Sequence, residues 1–263
     1  MKKITNSLKI FKIGGGIIDD QDQLNQFLED FSKVEGAKIL VHGGGKGATN
    51  QLKRMGIEPK MIDGRRITDA ETLQVVVGFY AGITNKTIVA QLNKYNQNAI
   101  GLSGADANLI NAVKRSVKDI DYGFAGDLKE NSVNGKILNL LVENGNLPVV
   151  CAITHDGNGQ LFNTNADTIA SAIAKELAKN EEWEVELHFC FDKKGVMKNL
   201  EDESSLILEM DFEFYQELKA DGIISDGMIP KLDNAFEVIN SGVKSVYIQH
   251  ASNVGNEIGT KLI

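Results

Sequence analysis

Lys12 interrupts a short apolar run, residues 8–13, two positions before Gly14-Gly15-Gly16. An ammonium in a buried strand is costly unless it is paired or lies at the strand's open end. A second glycine cluster, Gly43-Gly44-Gly45, follows the apolar run 37–41 and His42. A strand-to-helix turn without side chains lets successive backbone N–H groups converge on an anion. Two such turns suit a polyanion such as a nucleoside triphosphate. Lys231 follows Pro230 where a helix begins. A cation there opposes the helix dipole, so an anion is expected nearby. Asp167 lies at the start of another helix, where a carboxylate is equally explained as a cap.

Other chemistries lack their residues. No Gly-x-x-x-x-Gly-Lys-[Ser/Thr] loop is present, and a Gly-x-Gly-x-x-Gly reading from Gly43 fails at Ala48. Gly101-x-Ser103-x-Ala105 misses the nucleophile elbow at its last position, and Ser103 has no evident base. The four His and two Cys show no zinc spacing. Cys151 and Cys190 sit in apolar runs and read as buried small hydrophobes. His42 reads as a packed, hydrogen-bonded histidine. The 28 basic and 36 acidic residues leave a net charge of −8, which disfavours nucleic acid as a partner. Lys2 and Lys3 are followed by no signal-peptide core, and no continuous apolar run reaches the roughly 18 residues of a membrane span. A cytoplasmic protein is expected. Glycine makes up 26 of 263 residues against only 3 prolines, so the glycines should occupy particular backbone positions.

The elements that must carry these residues follow from periodicity. Near-continuous apolar runs at 8–13, 37–41, 99–102, 147–153, 185–191 and 245–249 read as strands buried on both faces of a parallel sheet. Between them, residues 23–31, 69–95, 136–144, 167–179 and 231–240 have helical spacing. The second opens on a Thr68-x-x-Glu71 capping box and is interrupted at Gly78 and Gly82. The turn-rich segment 114–133 reads as a hairpin on one edge. Strand and helix alternate, so the chain is an α/β protein with helices on both sheet faces. It reads as one domain of two lobes, 1–179 and 180–263, divided at the charged segment 180–184. In an open α/β sheet, ligands bind beyond the carboxyl ends of the strands, where both glycine clusters fall.

Five motifs in collinear order carry a resemblance: Lys12-Ile-Gly-Gly15, Val41-His-Gly-Gly-Gly45, Gly64-Arg-Arg66-Ile-Thr68, Asn163-Thr-Asn165-Ala-Asp167 and Gly227-Met-Ile-Pro-Lys231. Together they resemble the amino acid kinase family over nearly the whole chain. Within it, they are most similar to the members that phosphorylate an N-acylated glutamate. The resemblance implies a three-layer αβα sandwich around an open, mainly parallel eight-stranded sheet. It implies an acylglutamate-binding N-lobe that also dimerises, and an ATP-binding C-lobe. The implied reaction is ATP-dependent phosphorylation of the γ-carboxylate of N-acetyl-L-glutamate, in arginine biosynthesis, with Mg²⁺ carried by ATP and no protein metal site. N-succinyl-L-glutamate is the alternative substrate, and a non-catalytic sensor of glutamate derivatives or nucleotides the alternative class. The implied roles are Lys12 and Lys231 on the transferring phosphoryl group, oriented by Asp167. Gly44, Gly45, Arg66 and Asn163 would hold the acylglutamate. Gly14, Gly15, Asp192, Gly195, Val196, Met197, Ile223, Ile224 and Ser225 would line the ATP site.

The residue chemistry agrees with that reaction. A carboxylate is already a nucleophile at neutral pH, so catalysis reduces to positioning and charge neutralisation. Arg66 suits an α-carboxylate because a guanidinium fork pairs bidentately, whereas Arg65 reads as a surface charge. Two departures stand out. Phe191-Asp192-Lys193 replaces the usual Thr-Asp-Val, and Ala105 stands where lysine is frequent. The chain also shows no extra N-terminal helix of the kind found in arginine-inhibited hexamers, so a homodimer not strongly feedback-inhibited by arginine is expected.

Overall fold

The strands form because their side chains are apolar in both phases of the two-residue period. In the computed structural model, Leu8 and Ile10 enter one hydrophobic cluster, whereas Phe11 and Ile13 enter another on the opposite side. Residues 6–62, 64–199, 202–224, 227–256 and 258–263 are described. In chain order the elements are β1 (Asn6–Ile13), α1 (Gly15–Asp19), α2 (Gln21–Ser32), β2 (Ala37–His42), α3 (Gly47–Arg54), β3 (Met61–Ile62), β4 (Arg65–Arg66), α4 (Ala70–Val77), a π-helical segment (Gly78–Thr84), α5 (Asn85–Lys94), β5 (Ala99–Leu102), β6 (Val113–Lys114), β7 (Gly126–Asp127), α6 (Gly135–Glu143), β8 (Leu147–Cys151), β9 (Ile153–His155), β10 (Leu161–Asn163), α7 (Ala166–Ala178), β11 (Trp183–Phe191), β12 (Glu209–Met210), α8 (Phe212–Ala220), α9 (Ile229–Asn240), β13 (Ser245–His250) and β14 (Thr260–Leu262).

Eight strands form one sheet in the order β12-β14-β13-β11-β1-β2-β8-β5. Every neighbouring pair is parallel except β13–β14. Leu138, Ile169, Ile173, Leu232 and Phe236, from α6, α7 and α9, cover the Leu8–Ile10 face. Phe27, Phe31, Ile88 and Leu92, from α2 and α5, cover the other. The result is the three-layer αβα sandwich. Strands from residues 183–262 lie on one side of β1 and those from residues 37–151 on the other.

Several local expectations are corrected. The apolar run 147–153 divides, because the chain leaves the sheet at Ala152 and β9 pairs antiparallel with β10. Segment 114–133 is not an edge strand of the main sheet. Its β6–β7 ribbon stands apart and is bridged through Ala125 to Asn163. Gly126 packs so closely on Phe162 and Thr164 that a Cβ would come within 2.8 and 2.6 Å of them. Asp69, not Thr68, caps α4, accepting from Thr72 N at 2.8 Å. Thr68 is buried and its hydroxyl donates to Arg66 O instead. Ala70–Lys94 forms 25 helical residues long and apolar enough, by length and composition, to cross a membrane. Counting only continuous apolar runs misses it, because polar residues are interspersed. Here its α5 part packs on α2, β5 and β8, and its α4 part on α3 and β10.

Candidate active site

Beyond the carboxyl ends of β1, β2 and β8, a cavity of about 290 Å³ brings together Lys12, Gly15, Gly44, Gly45, Arg66, Asn163 and Asp167. These come from four of the five sequence motifs. Tyr80, Arg115 and Gly126 are also in its wall.

Lys12 continues the row Leu8, Ile10 on the α7–α9 face of β1, at the strand's open end. Its side chain is only 9% exposed, and Nζ lies 2.7 Å from Asp167 Oδ1, an ion pair without hydrogen-bond angles. Asp167 is not the helix cap. Asn165 takes that position, and its side chain accepts from the N–H groups of Asp167 and Thr168 at 2.8 and 3.1 Å. The Asp167 carboxylate is therefore left for Lys12.

The two glycine turns lie back to back. A Cβ on Gly15 would come within 3.0 Å of Gly45 Cα. Gly14 is outside the cavity, and its N–H donates to Cys190 O at 3.0 Å, so that donor serves the sheet. Gly15 opens α1, where first-turn N–H groups have no intrahelical acceptor. The second turn is held from behind. His42 is fully buried, and burial pushes its imidazole down to about 4. Asn85 Nδ2 donates to His42 Nε2 at 3.0 Å, so the ring proton sits on Nδ1 and is donated to Gly43 O at 2.6 Å. The Gly43–Gly44 peptide is trans, so fixing that carbonyl turns the Gly44 N–H the opposite way. A Cβ on Gly44 would enter the Tyr80 ring. Gly45 has φ +56°. Asp19 clamps the turn by accepting from Lys46 N with both oxygens, at 2.7 and 2.9 Å.

Arg66 is 8% exposed. Its Nη2 donates to Thr49 Oγ1 at 2.8 Å, while Nε and Nη1 are buried with no partner among the described residues. A buried guanidinium with unanswered donors calls for an anionic acceptor such as a carboxylate. Asn163 is fixed through its Nδ2, which donates to Thr68 Oγ1 at 3.1 Å. Arg115 is paired to Asp127 through Nε at 2.9 Å. Arg65, read as a surface charge, is exposed at the cavity rim.

Of the described residues expected to line the nucleotide site, Gly15 lies in this cavity and the others stand outside it. Lys231 Nζ lies over the Phe191 ring, 4.4 Å from its centroid. Asp192 is exposed. Gly195 packs on Leu206 and Thr260, each 2.7 Å from where a Cβ would stand. Val196 N donates to Thr260 Oγ1 at 2.8 Å. Val196 and Ile224 are core side chains, so a ligand would meet their backbone only. Met197 is half-buried and Ile223 exposed. Ser225 lies outside the described residues. Sequence reasoning missed Tyr80, Asp19, Arg115 and the role of Phe191. The glycines opposite Tyr80 and Asp19 were the available signal for the first two.

The amino acid kinase family model matches residues 7–250. The chain belongs to the amino acid kinase family. An acetylglutamate kinase of Phocaeicola vulgatus is 51% identical over 253 residues, covering 96% of this chain and 97% of its own. That of Cytophaga hutchinsonii is 50% identical, with 97% and 98% covered. A third, from Methanopyrus kandleri, is 37% identical, with 96% and 99% covered. Among solved structures, an N-acetylglutamate synthase of Neisseria gonorrhoeae complexed with coenzyme A and N-acetyl-glutamate superposes with a TM-score of 0.79 at 20% identity, covering 99% of this chain and 60% of its own. Giardia carbamate kinase superposes at 0.69 with 14% identity, covering 98% and 99%. These two distant likenesses speak to the fold.

Proposed function

We propose that the chain transfers the γ-phosphoryl group of ATP to the γ-carboxylate of N-acetyl-L-glutamate, giving an acyl phosphate and ADP, in arginine biosynthesis. The relatives named acetylglutamate kinase support the activity. The observation that carries the substrate assignment is the buried Arg66 guanidinium, with donors left unanswered, in the same cavity as the Lys12–Asp167 pair.

The acceptor's α-carboxylate pairs with Arg66, and Asn163 and the Gly44–Gly45 turn hold the acylated amino acid. Its γ-carboxylate then points toward Lys12. The carboxylate oxygen attacks γ-phosphorus as the bond to the β–γ bridging oxygen breaks, and ADP leaves with that electron pair. No proton moves, which is why a site without a general base suffices. Lys12, the Gly15 and Gly44 N–H groups and Lys231 neutralise charge on the transferring group. Asp167 keeps Lys12 aimed. Ammonium and amide donors fit anions, so Mg²⁺ is assigned to the triphosphate as part of the substrate. Residues 1–179 form the acceptor lobe and 180–263 the nucleotide lobe, which meet along the β1–β11 pair.

A second reading draws on Arg115. An N-succinyl group adds one carboxylate, and Arg115 is the cavity cation that could exchange Asp127 for it. Comparing kcat/KM for N-acetyl- and N-succinyl-L-glutamate decides between them, and we expect the acetyl substrate to be preferred. A homodimer is assigned to the groove where exposed Met55 and Ile83 flank Phe79. Light scattering at twice the chain mass, with no inhibition by micromolar arginine, is the expected result. The acidic composition and the small anionic substrates support a cytoplasmic site of action with no nucleic acid or membrane partner. Lys12→Ala and Lys231→Ala should each lower kcat by about two or more orders of magnitude in folded protein. Near-wild-type turnover in both overturns the phosphoryl role.

A further inference from the structure

Phe191 ends β11 on the same face as Lys12. The row Val185, Leu187, Phe189 belongs to the cluster under α7 and α9, and the two-residue period places Phe191 next in that row. In the parallel register Lys12 stands beside Phe189, one step from Phe191. The Lys12 ammonium lies 5.1 Å from the Phe191 ring centroid and the Lys231 ammonium 4.4 Å from it. The Gly14 backbone closes on the ring as well, with Phe191 Cδ1 3.5 Å from where a Cβ would be. One half-buried aromatic ring therefore meets a lysine from β1, a lysine from α9 and the first glycine turn.

The charge balance gives this contact a purpose. Asp167 answers Lys12, while among the described residues Lys231 has no carboxylate partner. Two like charges would otherwise repel and swing apart before any phosphate arrived. A ring face attracts ammonium groups through its quadrupole without forming a lasting salt bridge. Phosphate oxygens can then displace it, whereas a second carboxylate would compete with ATP and repel the acceptor.

We propose that Phe191 is a positioning residue for phosphoryl transfer, holding the Lys12 and Lys231 ammonium groups together until the triphosphate takes them. The role rests on the acylglutamate kinase reading, but its test has an arm that needs no turnover. Phe191→Leu keeps apolar bulk and removes the π face, and Phe191→Tyr keeps both. In selectively labelled protein the ε-methylene protons of Lys12 and Lys231, assigned with Lys12→Arg and Lys231→Arg, should resonate upfield through the ring current. That shift should vanish in Phe191→Leu, persist in Phe191→Tyr, and diminish when MgATP is added. In kinetics, Phe191→Leu should lower kcat about tenfold with the acceptor KM changed less than about twofold, and Phe191→Tyr should restore most of the rate. Absent ring-current shifts in folded wild-type protein overturn the proposal. So does a Phe191→Leu kcat within twofold of wild type, or a Tyr variant as slow as Leu. If wild-type protein phosphorylates no acylglutamate, the functional reading fails while the spectra still judge the ring contact.

Discussion

Asp167 Oδ1 stands 2.7 Å from Lys12 Nζ because Asn165, two residues earlier, has taken over the helix cap. The division of labour separates stability from activity. Asp167→Asn should lower kcat by about 100-fold, because Lys12 loses its orienting charge at the phosphoryl position. The same variant keeps the cap, so its Tm should fall by only about 2–4 °C. Steady-state kinetics and a thermal melt on one preparation check both halves.

Arg66 should show the opposite balance. Arg66→Lys keeps the charge but loses the fork, and should raise the acceptor KM by about 10- to 100-fold with a smaller change in kcat. Arg66→Met should abolish acceptor binding while raising Tm, since it removes a buried cation with two unpartnered donors. Titration calorimetry with N-acetyl-L-glutamate and a melt without ligand measure the two effects.

The difference between what was legible and what was not lies in locality. Lys12 with its glycines, and Asn163 through Asp167, are short strand–turn–helix segments, so their place at the sheet's carboxyl end follows from the chain itself. Tyr80 fills the space that Gly44 leaves, yet the two meet only once the π-helical segment lies against the turn after β2. Phe191 read as a departure from a motif. Its use appears only when β11 pairs with β1 and puts both rows on one face. β12 and β14, of two and three residues, are too short to produce a periodic signal. The Thr68 capping box failed because the helix starts one residue later, with Asp69 accepting from Thr72 N, and Thr68 is drawn inward by Arg66 O and Asn163.

Glu186 gives a pH dependence to the fold itself. It is 6% exposed in β11. The facing His188 ring, with Nε2 3.8 Å away, and Lys244 at 3.3 Å hold its carboxyl down at about 2, against burial and against the ordinary 4.5. His188 itself is stacked between Phe11 and Tyr247 at 4.5 Å from each. A carboxyl with a lowered folded pKa stabilises the fold above its unfolded value and loses that contribution as pH falls through the folded one. Between pH 4.5 and 2 the loss should be on the order of 3 kcal/mol. Urea melts should show Glu186→Gln less stable than wild type at pH 7, with the gap closing across that window. A constant gap down to pH 2 contradicts the assignment.

His42 should leave no trace in the pH–rate profile. Burial holds it neutral, with a pKa of about 4, and its work is to fix the Gly43 carbonyl. The profile of kcat/KM should show no step near the ordinary imidazole value of about 6.5. A step there that disappears in His42→Asn would make the imidazole an acid–base catalyst instead. Asn85→Ala should lower kcat by roughly tenfold, because the ring then loses the partner that sets its tautomer.

The most direct test of the central claim is the product. Purified protein is given MgATP and, separately, N-acetyl-L-glutamate, free glutamate, aspartate and carbamate, with hydroxylamine present to trap acyl phosphates. ADP release and hydroxamate are measured together. The account predicts one hydroxamate per ADP with N-acetyl-L-glutamate and little turnover with the others. ADP formed without hydroxamate, or turnover confined to another acceptor, would contradict it.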